Sequence, residues 1–439
     1  MKLCLVWPKS SWIHNQDAAK DPHLAELMNH FYSIKEKKPG PKLFPSIGAA
    51  LPLIAALTPP VFEEIRIVDG TTQEIPFDEP FDIVGISMMT AQSDEGYRIC
   101  REFKKRGVHT VIGGIHPTLE PSESMMHADT VICGEAENTW LAFIDDFLQG
   151  RPKQLYRQKK MINLKGSPVP RYDLMSPYNN TLYAFIQTSR GCPNNCRYCS
   201  VVKANGATFR YKSVEQIINE INTLRQLNPS TNIFFSDDNM FVNRNRLRKL
   251  LTGVSELNIG FAAQADIGVS KDEEMLELLS ASGCQYLFIG LESVTEPGIA
   301  SLSKWKQRHF HEYQRSILQI KSYGIDVCGA FIVGTDDHDE TIFPKIIDFA
   351  EQTSITNIHA GILTPFPGTP IRQSFVDAQR LLPKPWSNYD LFGMNFMPKS
   401  TTPYVLQKGL LELMLHFSEK TAKSSDQFDG KPARRQEYI

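Results

Sequence analysis

Apolar positions along this chain recur with two spacings. Short buried-type runs at 2–7, 64–69, 83–87, 110–112 and 130–133 predict strands, and helical spacing at 47–57, 92–106, 121–127 and 137–148 predicts helices between them. Strands that alternate with helices imply a parallel sheet covered on both faces, a doubly wound domain over residues 1–150. Residues 151–180 hold no sustained period and are richer in Pro, Lys and Gly, which predicts a linker. The alternation then resumes, with strands at 183–188, 232–235, 261–264, 286–291, 327–333 and 357–363 and helical spacing at 214–227, 244–254 and 271–281. Six such units predict a barrel or open barrel over 181–390, its working face at the C-terminal ends of the strands. The remainder, 391–439, carries one helix at 404–422 and a polar end expected to fray. The expected fold class is α/β.

Composition narrows the function classes. Of 439 residues, 41% are hydrophobic and 22% charged, an ordinary globular balance, and the formal net charge of −2 gives no electrostatic case for nucleic acid or an anionic membrane. The most apolar run, 47–57, is interrupted by Pro52 and stopped by Pro59-Pro60, too short to span a bilayer. No signal-peptide pattern opens the sequence, so a cytoplasmic location is expected.

Eight cysteines are present. Cys4, Cys100, Cys133, Cys284 and Cys328 stand singly in apolar segments and read as small core residues. The other three crowd together in Arg190-Gly191-Cys192-Pro193-Asn194-Asn195-Cys196-Arg197-Tyr198-Cys199-Ser200, just after a predicted strand. Three thiolates on one loop can ligate three irons of a cubane and leave the fourth without a protein ligand. A closed zinc site or an ordinary electron-transfer cluster wants four ligands, and no neighbouring His or Cys supplies one.

This triplet resembles the cluster motif of the radical S-adenosylmethionine superfamily, over roughly residues 180–390. The resemblance implies a partial (β/α)6 TIM-type barrel, a [4Fe–4S] cluster on Cys192, Cys196 and Cys199, and reductive cleavage of S-adenosylmethionine to a 5′-deoxyadenosyl radical. It also implies contacts to S-adenosylmethionine. Ser236-Asp237-Asp238-Asn239 matches the segment that receives the methionine amino group, although Asp and Asn there also suit a helix N-cap. Glu292 and Ser293, in Gly290-Leu291-Glu292-Ser293, match a segment near the ribose and carboxylate. Ile332 and Gly334, in Gly329-Ala330-Phe331-Ile332-Val333-Gly334, match the strand that lies on adenine, although a plain buried strand would read the same. Tyr198 matches the aromatic neighbour of the adenine, and Gln264 falls among the implied contacts.

A second resemblance covers roughly 1–150. Gly113-Gly114-Ile115-His116-Pro117-Thr118 and Cys133-Gly134-Glu135 follow successive strands, at the edge where doubly wound sheets bind ligands. Glycines at such strand ends admit a ligand to the backbone. Their order ahead of the cysteine triplet is similar to the Rossmann-like cobalamin-binding domain of cobalamin-dependent radical enzymes. That implies cobalamin contacts from Ser87, Met88, Met89, Thr90, Gly113, Gly114, His116, Pro117, Thr118, Gly134 and Glu135. The D-x-H-x-x-G motif of better-known cobalamin proteins is absent, and His116 lies in the wrong loop to ligate cobalt from below. This departure fits binding without a histidine ligand, and also fits a domain that no longer binds cobalamin.

Together the resemblances imply a methylase acting on an unactivated carbon of a small molecule or lipid, with a flavodoxin or ferredoxin as electron donor. Two alternatives stand beside it: a radical enzyme of the same build catalysing cyclisation, rearrangement or transfer of another fragment, and a sensor without turnover. Lys304, Trp305, Arg308 and His309 are candidate pocket residues or an exposed helix start. Thr364-Pro365-Phe366-Pro367-Gly368-Thr369-Pro370, Trp386, Tyr389, Asn395 and Phe396 either cover the substrate or form a stiff connection on the barrel.

Overall fold

The computed structural model describes residues 1–10, 18–36, 46–175 and 181–425. The expected polar end at 426–439 and the end of the linker at 176–180 lie outside the described residues.

The first sheet is parallel throughout: β1 (Lys2–Trp7), β2 (Glu64–Asp69), β3 (Ile83–Ser87), β4 (His109–Gly113), β5 (Thr130–Cys133) and β6 (Leu155–Arg157), in the order β2-β1-β3-β4-β5-β6. Alternate side chains of each strand serve opposite layers. Cys4, Val6, Val84 and Ile86 pack with Tyr97, Cys100 and Phe103 of the helix Ser93–Lys104. Leu3, Leu5, Ile83 and Val111 pack with Leu51 and Ala55 of Ala50–Leu57 and with Trp140, Phe143 and Ile144 of Glu137–Leu148. This strand-by-strand division is why the runs read as continuously apolar rather than alternating. The order reverses between β1 and β3, and the crevice for a ligand opens at that switch, at the C-terminal strand ends.

The second sheet is an open half-barrel of parallel strands β7 (Tyr183–Ile186), β10 (Asn232–Phe235), β11 (Phe261–Ala265), β12 (Cys284–Glu292), β13 (Asp326–Val333) and β14 (Asn357–Ile362), in the order β14-β13-β12-β11-β10-β7. A two-stranded antiparallel pair, β8 (Ser189–Arg190) and β9 (Arg210–Tyr211), sits beside the cysteine run. The outward positions, among them Ile233, Phe235, Leu287, Ile289, Val327 and Phe331, form the main core under the helices. The inward positions carry Tyr183, Phe185, Phe234, Tyr286 and Phe288. The helix Val214–Leu227 starts on a reciprocal cap: Ser213 Oγ accepts from Gln216 N at 3.2 Å, and Gln216 Oε1 accepts from Ser213 N at 2.9 Å.

Two placements differ from the pattern reading. The stretch 151–180 is not wholly linker, because Leu155–Arg157 pairs with β5 and extends the first sheet. Three residues are too few to show a period. The span 1–150 is also not one unit, because Ala18, Leu24 and Met28, on and before the helix Pro22–Glu36, belong to the barrel core. That helix packs against the long C-terminal helix Pro403–Ser425. Among the described residues no helix is long and apolar enough to cross a membrane.

Candidate functional site: a cysteine loop facing a glycine-lined crevice

The cysteine loop leaves the C-terminal end of β7 and is fixed from three sides. Beneath it, the Asp237 carboxylate accepts Thr188 N at 2.5 Å, Ser189 N at 2.8 Å and the Thr188 hydroxyl. Asp238 accepts Gly191 N at 2.9 Å and Asn205 Nδ2 at 3.1 Å. On the far side Arg197 N donates to Leu302 O at 2.9 Å, and Ile371 N donates to Arg197 O at 3.1 Å. Arg197 Nη2 also reaches Ser374 Oγ at 2.8 Å, so the helix Pro370–Asp377 braces the loop from after the last strand. Gly191 has φ +92°, and a Cβ there would stand 2.3 Å from Thr208 O, so the entry to the loop demands glycine.

Behind the larger effect of burial, Cys196 raises the proton affinity of Cys192, and Cys196 and Cys192 together raise that of Cys199, so the thiols lie close to one another. Cys196 is buried, with Sγ 3.4 Å from Ser303 Oγ, while Cys192 and Cys199 are half-buried. Among the described residues no group of three or more His, Cys, Asp or Glu closes round a single metal ion. A cubane makes a different demand, one thiolate at each of three separate corners. The donor set therefore fits a cluster with one iron left free. The isolated cysteines also match their reading: Cys4, Cys100, Cys133 and Cys284 are buried, and Cys328 is half-buried.

Around the barrel mouth the candidate S-adenosylmethionine residues divide into braces and facing groups. Asp237 is fully buried, and its oxygens are taken by the β7 end. Burial pushes its carboxyl above the usual range, against the pull of Arg246 and of the Thr188 and Ser189 donors. Ser293 is likewise buried, bonded to His338 Nε2 at 2.9 Å and to Thr295 Oγ1 at 3.0 Å. His338 Nδ1 accepts from Gly334 N at 3.2 Å, so this network ties the ends of β12 and β13 together. Gln264, Ile332 and Tyr198 remain half-buried beside the mouth, and Ser236 faces the crevice described below.

Glu292 sits at φ +67°, in the left-handed region that side chains seldom occupy. Its Oε1 accepts the Tyr198 hydroxyl at 2.6 Å and pairs with Lys306, whose Nζ also donates to Gly290 O at 2.8 Å. Sequence reasoning chose Lys304, Trp305, Arg308 and His309 in this segment and missed Lys306. Lys304 and Arg308 are exposed, and Trp305 rests on His309 at 4.9 Å. No local spacing marks Lys306, because its partner lies on another element.

The first sheet presents its loops to this same region. Gly114 has φ +101°, and a Cβ would meet Met88 O at 2.7 Å, so the chain passes close over the end of β3. Thr118 Oγ1 donates to Gly114 O at 2.7 Å and accepts Gly134 N at 2.8 Å, joining the two glycine loops. A cavity of about 360 Å³ lies between the sheets. Ser87, Met88, Met89, Gly113, Gly114, Thr118, Gly134 and Glu135 line one side, and Gln187, Arg190, Asn205, Lys212 and Ser236 the other.

No histidine lines this cavity among the described residues. Thr90, His116 and Pro117 stand behind its wall, all buried. His116 bonds Tyr97 OH at 3.1 Å and packs edge-on to Trp386 at 5.0 Å. Trp386 Nε1 in turn donates to Glu123 at 2.8 Å, so the segment after the barrel reaches back to the first sheet. Glycine-bordered, free of imidazole and set at the switch point, the crevice fits a cobalamin bound without a histidine ligand.

Burial lowers the His116 pKa from its ordinary 6.5 to about 4. The unfolded chain then takes up a proton below pH 6.5 that the folded chain refuses until about pH 4, so stability is full above 6.5 and falls across that window. At pH 5 the loss from this one side chain is about 2 kcal/mol. Chemical denaturation at pH 7 and pH 5 checks it: His116→Gln is expected to shrink the difference between the two pH values by that amount.

A parallel sheet with glycine loops at the C-terminal ends of β4 and β5, facing a half-barrel with three cysteines on its first loop, defines a cluster enzyme with a corrinoid-type domain. Residues 186–350 match the radical SAM superfamily and residues 73–144 the B12 binding domain. The chain therefore carries a B12-binding domain followed by a radical SAM domain. Its cofactor set is a [4Fe–4S] cluster, S-adenosylmethionine and cobalamin.

Among curated relatives, bacteriochlorophyllide d C-12(1)-methyltransferase of Chlorobaculum tepidum is 28% identical over 394 residues, covering 88% of this chain and 86% of that protein. Hopanoid C-2 methylase of Rhodopseudomonas palustris is 26% identical, covering 73% of this chain and 62% of that one. The solved structure of the methyltransferase TsrM from Kitasatospora setae, with cobalamin and a [4Fe–4S] cluster bound, superposes with a TM-score of 0.66 at 14% identity, covering 98% of this chain and all of that one. The cobalamin-dependent radical enzyme OxsB with aqua-cobalamin gives a TM-score of 0.62 at 14% identity, covering 98% of this chain and 63% of that one. At such identities the structures speak for the fold.

Proposed function

We propose that this chain methylates an unactivated carbon of an apolar small molecule or lipid. The observation that carries this reading is the single cavity with the glycine loops of the first sheet on one side and the cysteine-loop end of the barrel on the other. When bound, the cofactors supply reductive cleavage of S-adenosylmethionine and delivery of a methyl group. The protein's part is placement and exclusion of water. Cys192, Cys196 and Cys199 hold three irons. Tyr198, Ser236, Gln264, Glu292 and Ile332 surround S-adenosylmethionine, with Asp237, Asp238, Ser293 and Gly334 fixing the surrounding strand ends. The glycine loops, with Ser87 to Met89, seat the corrinoid.

The inward face of the barrel supports an apolar substrate. Phe185, Tyr286 and Phe288 are half-buried there, with Phe234 beside them. Relatives named for bacteriochlorophyllide and hopanoid substrates favour the same class. A low-potential flavodoxin or ferredoxin is the proposed electron donor.

The test is an oxygen-free reconstitution followed by titration with hydroxocobalamin, read by absorbance. The same sample, reduced with S-adenosylmethionine and a candidate substrate, is assayed for 5′-deoxyadenosine and S-adenosylhomocysteine. One cobalamin per chain and both products are expected. If 5′-deoxyadenosine forms while cobalamin stays free, methyl transfer is excluded, and cyclisation or rearrangement takes its place.

A further inference from the structure

Two buried carboxylates and two half-buried guanidiniums join the two sheets where their loops meet. Glu135 follows Gly134 in the loop after β5, and Arg190 stands directly ahead of Gly191-Cys192. Arg190 Nη1 lies 3.0 Å from Glu135 Oε1 and 2.6 Å from Glu137 Oε1. Arg210 Nη1 lies 2.6 and 2.7 Å from the two Glu135 oxygens. Burial alone would raise the Glu135 carboxyl, but these two guanidiniums hold it below its ordinary value.

The network does not end at the charges. Gln158 Nε2 holds Glu135 Oε2 at 2.6 Å from β6's side, and Arg210 Nη2 donates to Asn205 O at 2.6 Å. The Asn205 amide reaches Asp238, which accepts Gly191 N. A continuous polar chain thus runs from the glycine loop of the first sheet to the residue before the first cluster cysteine. Two carboxylates balance two guanidiniums, so moving one partner strands another charge in a buried place. Glu135, Glu137, Arg190 and Asn205 also border the cavity between the sheets.

We infer that Glu135 and Arg210 are positioning residues that couple the seating of the corrinoid to the assembly of the cluster. The inference rests on the cobalamin reading above. A cysteine loop fixed by its irons holds Arg190 and Asn205 still, and through them the 134–135 loop that borders the corrinoid. Such coupling is reciprocal: the factor by which the cluster tightens cobalamin is the factor by which cobalamin tightens the cluster.

The experiment compares the full chain with and without reconstituted iron and sulfide. Each form is titrated with hydroxocobalamin by absorbance, with circular dichroism and iron content recorded in parallel. In the wild type, the cluster-loaded form is expected to bind about tenfold tighter. Glu135→Gln and Arg210→Met, one from each side of the contact, are expected to retain the cluster and to bind cobalamin equally in both forms. The double variant should do no more than either single one, as members of one network.

Equal affinity of the two wild-type forms overturns the inference. So does a Glu135→Gln protein that is weakened equally in both forms and keeps the wild-type ratio, since that marks a plain corrinoid contact. If one variant does not fold, the other decides the matter from the opposite side. Failure of both wild-type forms to bind cobalamin removes the cobalamin reading and this inference together.

Discussion

Cys196→Ala is expected to reduce bound iron to background, abolish the brown absorbance of the cluster and bring 5′-deoxyadenosine formation below detection. The thiol it removes is the buried member of the triplet, held beside Ser303 Oγ by a loop whose backbone is pinned at Leu302 and Ile371. With only the two half-buried thiols left, two irons of a cubane would lack protein ligands. Iron analysis, absorbance and a single-turnover assay read the three losses. Cys284→Ala is the control: that thiol is buried in the outer core of the barrel and should keep a full complement of iron. A Cys196→Ala protein that retained four irons and cleaved S-adenosylmethionine would refute the assignment.

Asp237→Ala is expected to cost about 3–5 kcal/mol of stability and to lower cluster occupancy along with it. Three donors at the end of β7 converge on this carboxylate, and alanine would leave the buried Thr188 and Ser189 amides without partners. Arg246 would lose the negative charge that balances it. Its Nε and Nη1 already lack hydrogen bonds, with Nη2 reaching Thr188 O at 3.1 Å and the guanidinium over the Tyr211 ring at 5.4 Å. Because Thr188 and Ser189 lead straight into the cysteine loop, the disturbance reaches the cluster as well as the fold. Denaturant unfolding and iron content measure the two effects. An unchanged midpoint with lost S-adenosylmethionine affinity would show instead that Asp237 meets the substrate's amino group directly.

The elements and the proposed cluster ligands are legible in the chain because their information is local. Buried parallel strands are marked by short apolar runs, and eight of the expected strands, 2–7, 64–69, 83–87, 130–133, 232–235, 261–264, 327–333 and 357–363, have the observed bounds or differ by one residue. The three cysteines proposed to hold the cluster lie within eight residues of one another, so their spacing sets them apart from the five isolated ones. Tertiary structure decided whatever depends on partners far apart in sequence. Glu135 meets Arg190 across 55 positions and Arg210 across 75, and Tyr198 meets Glu292 across 94. Helical amphipathicity says that Pro22–Glu36 must cover something; only packing decides that it covers the barrel rather than the sheet it follows. Likewise Asp237 reads as a ligand-binding carboxylate in a motif and becomes a brace once the β7 amides fill its oxygens. A residue's type and spacing limit its chemistry, but the long-range contacts of the fold determine whether that chemistry faces a ligand or the protein itself.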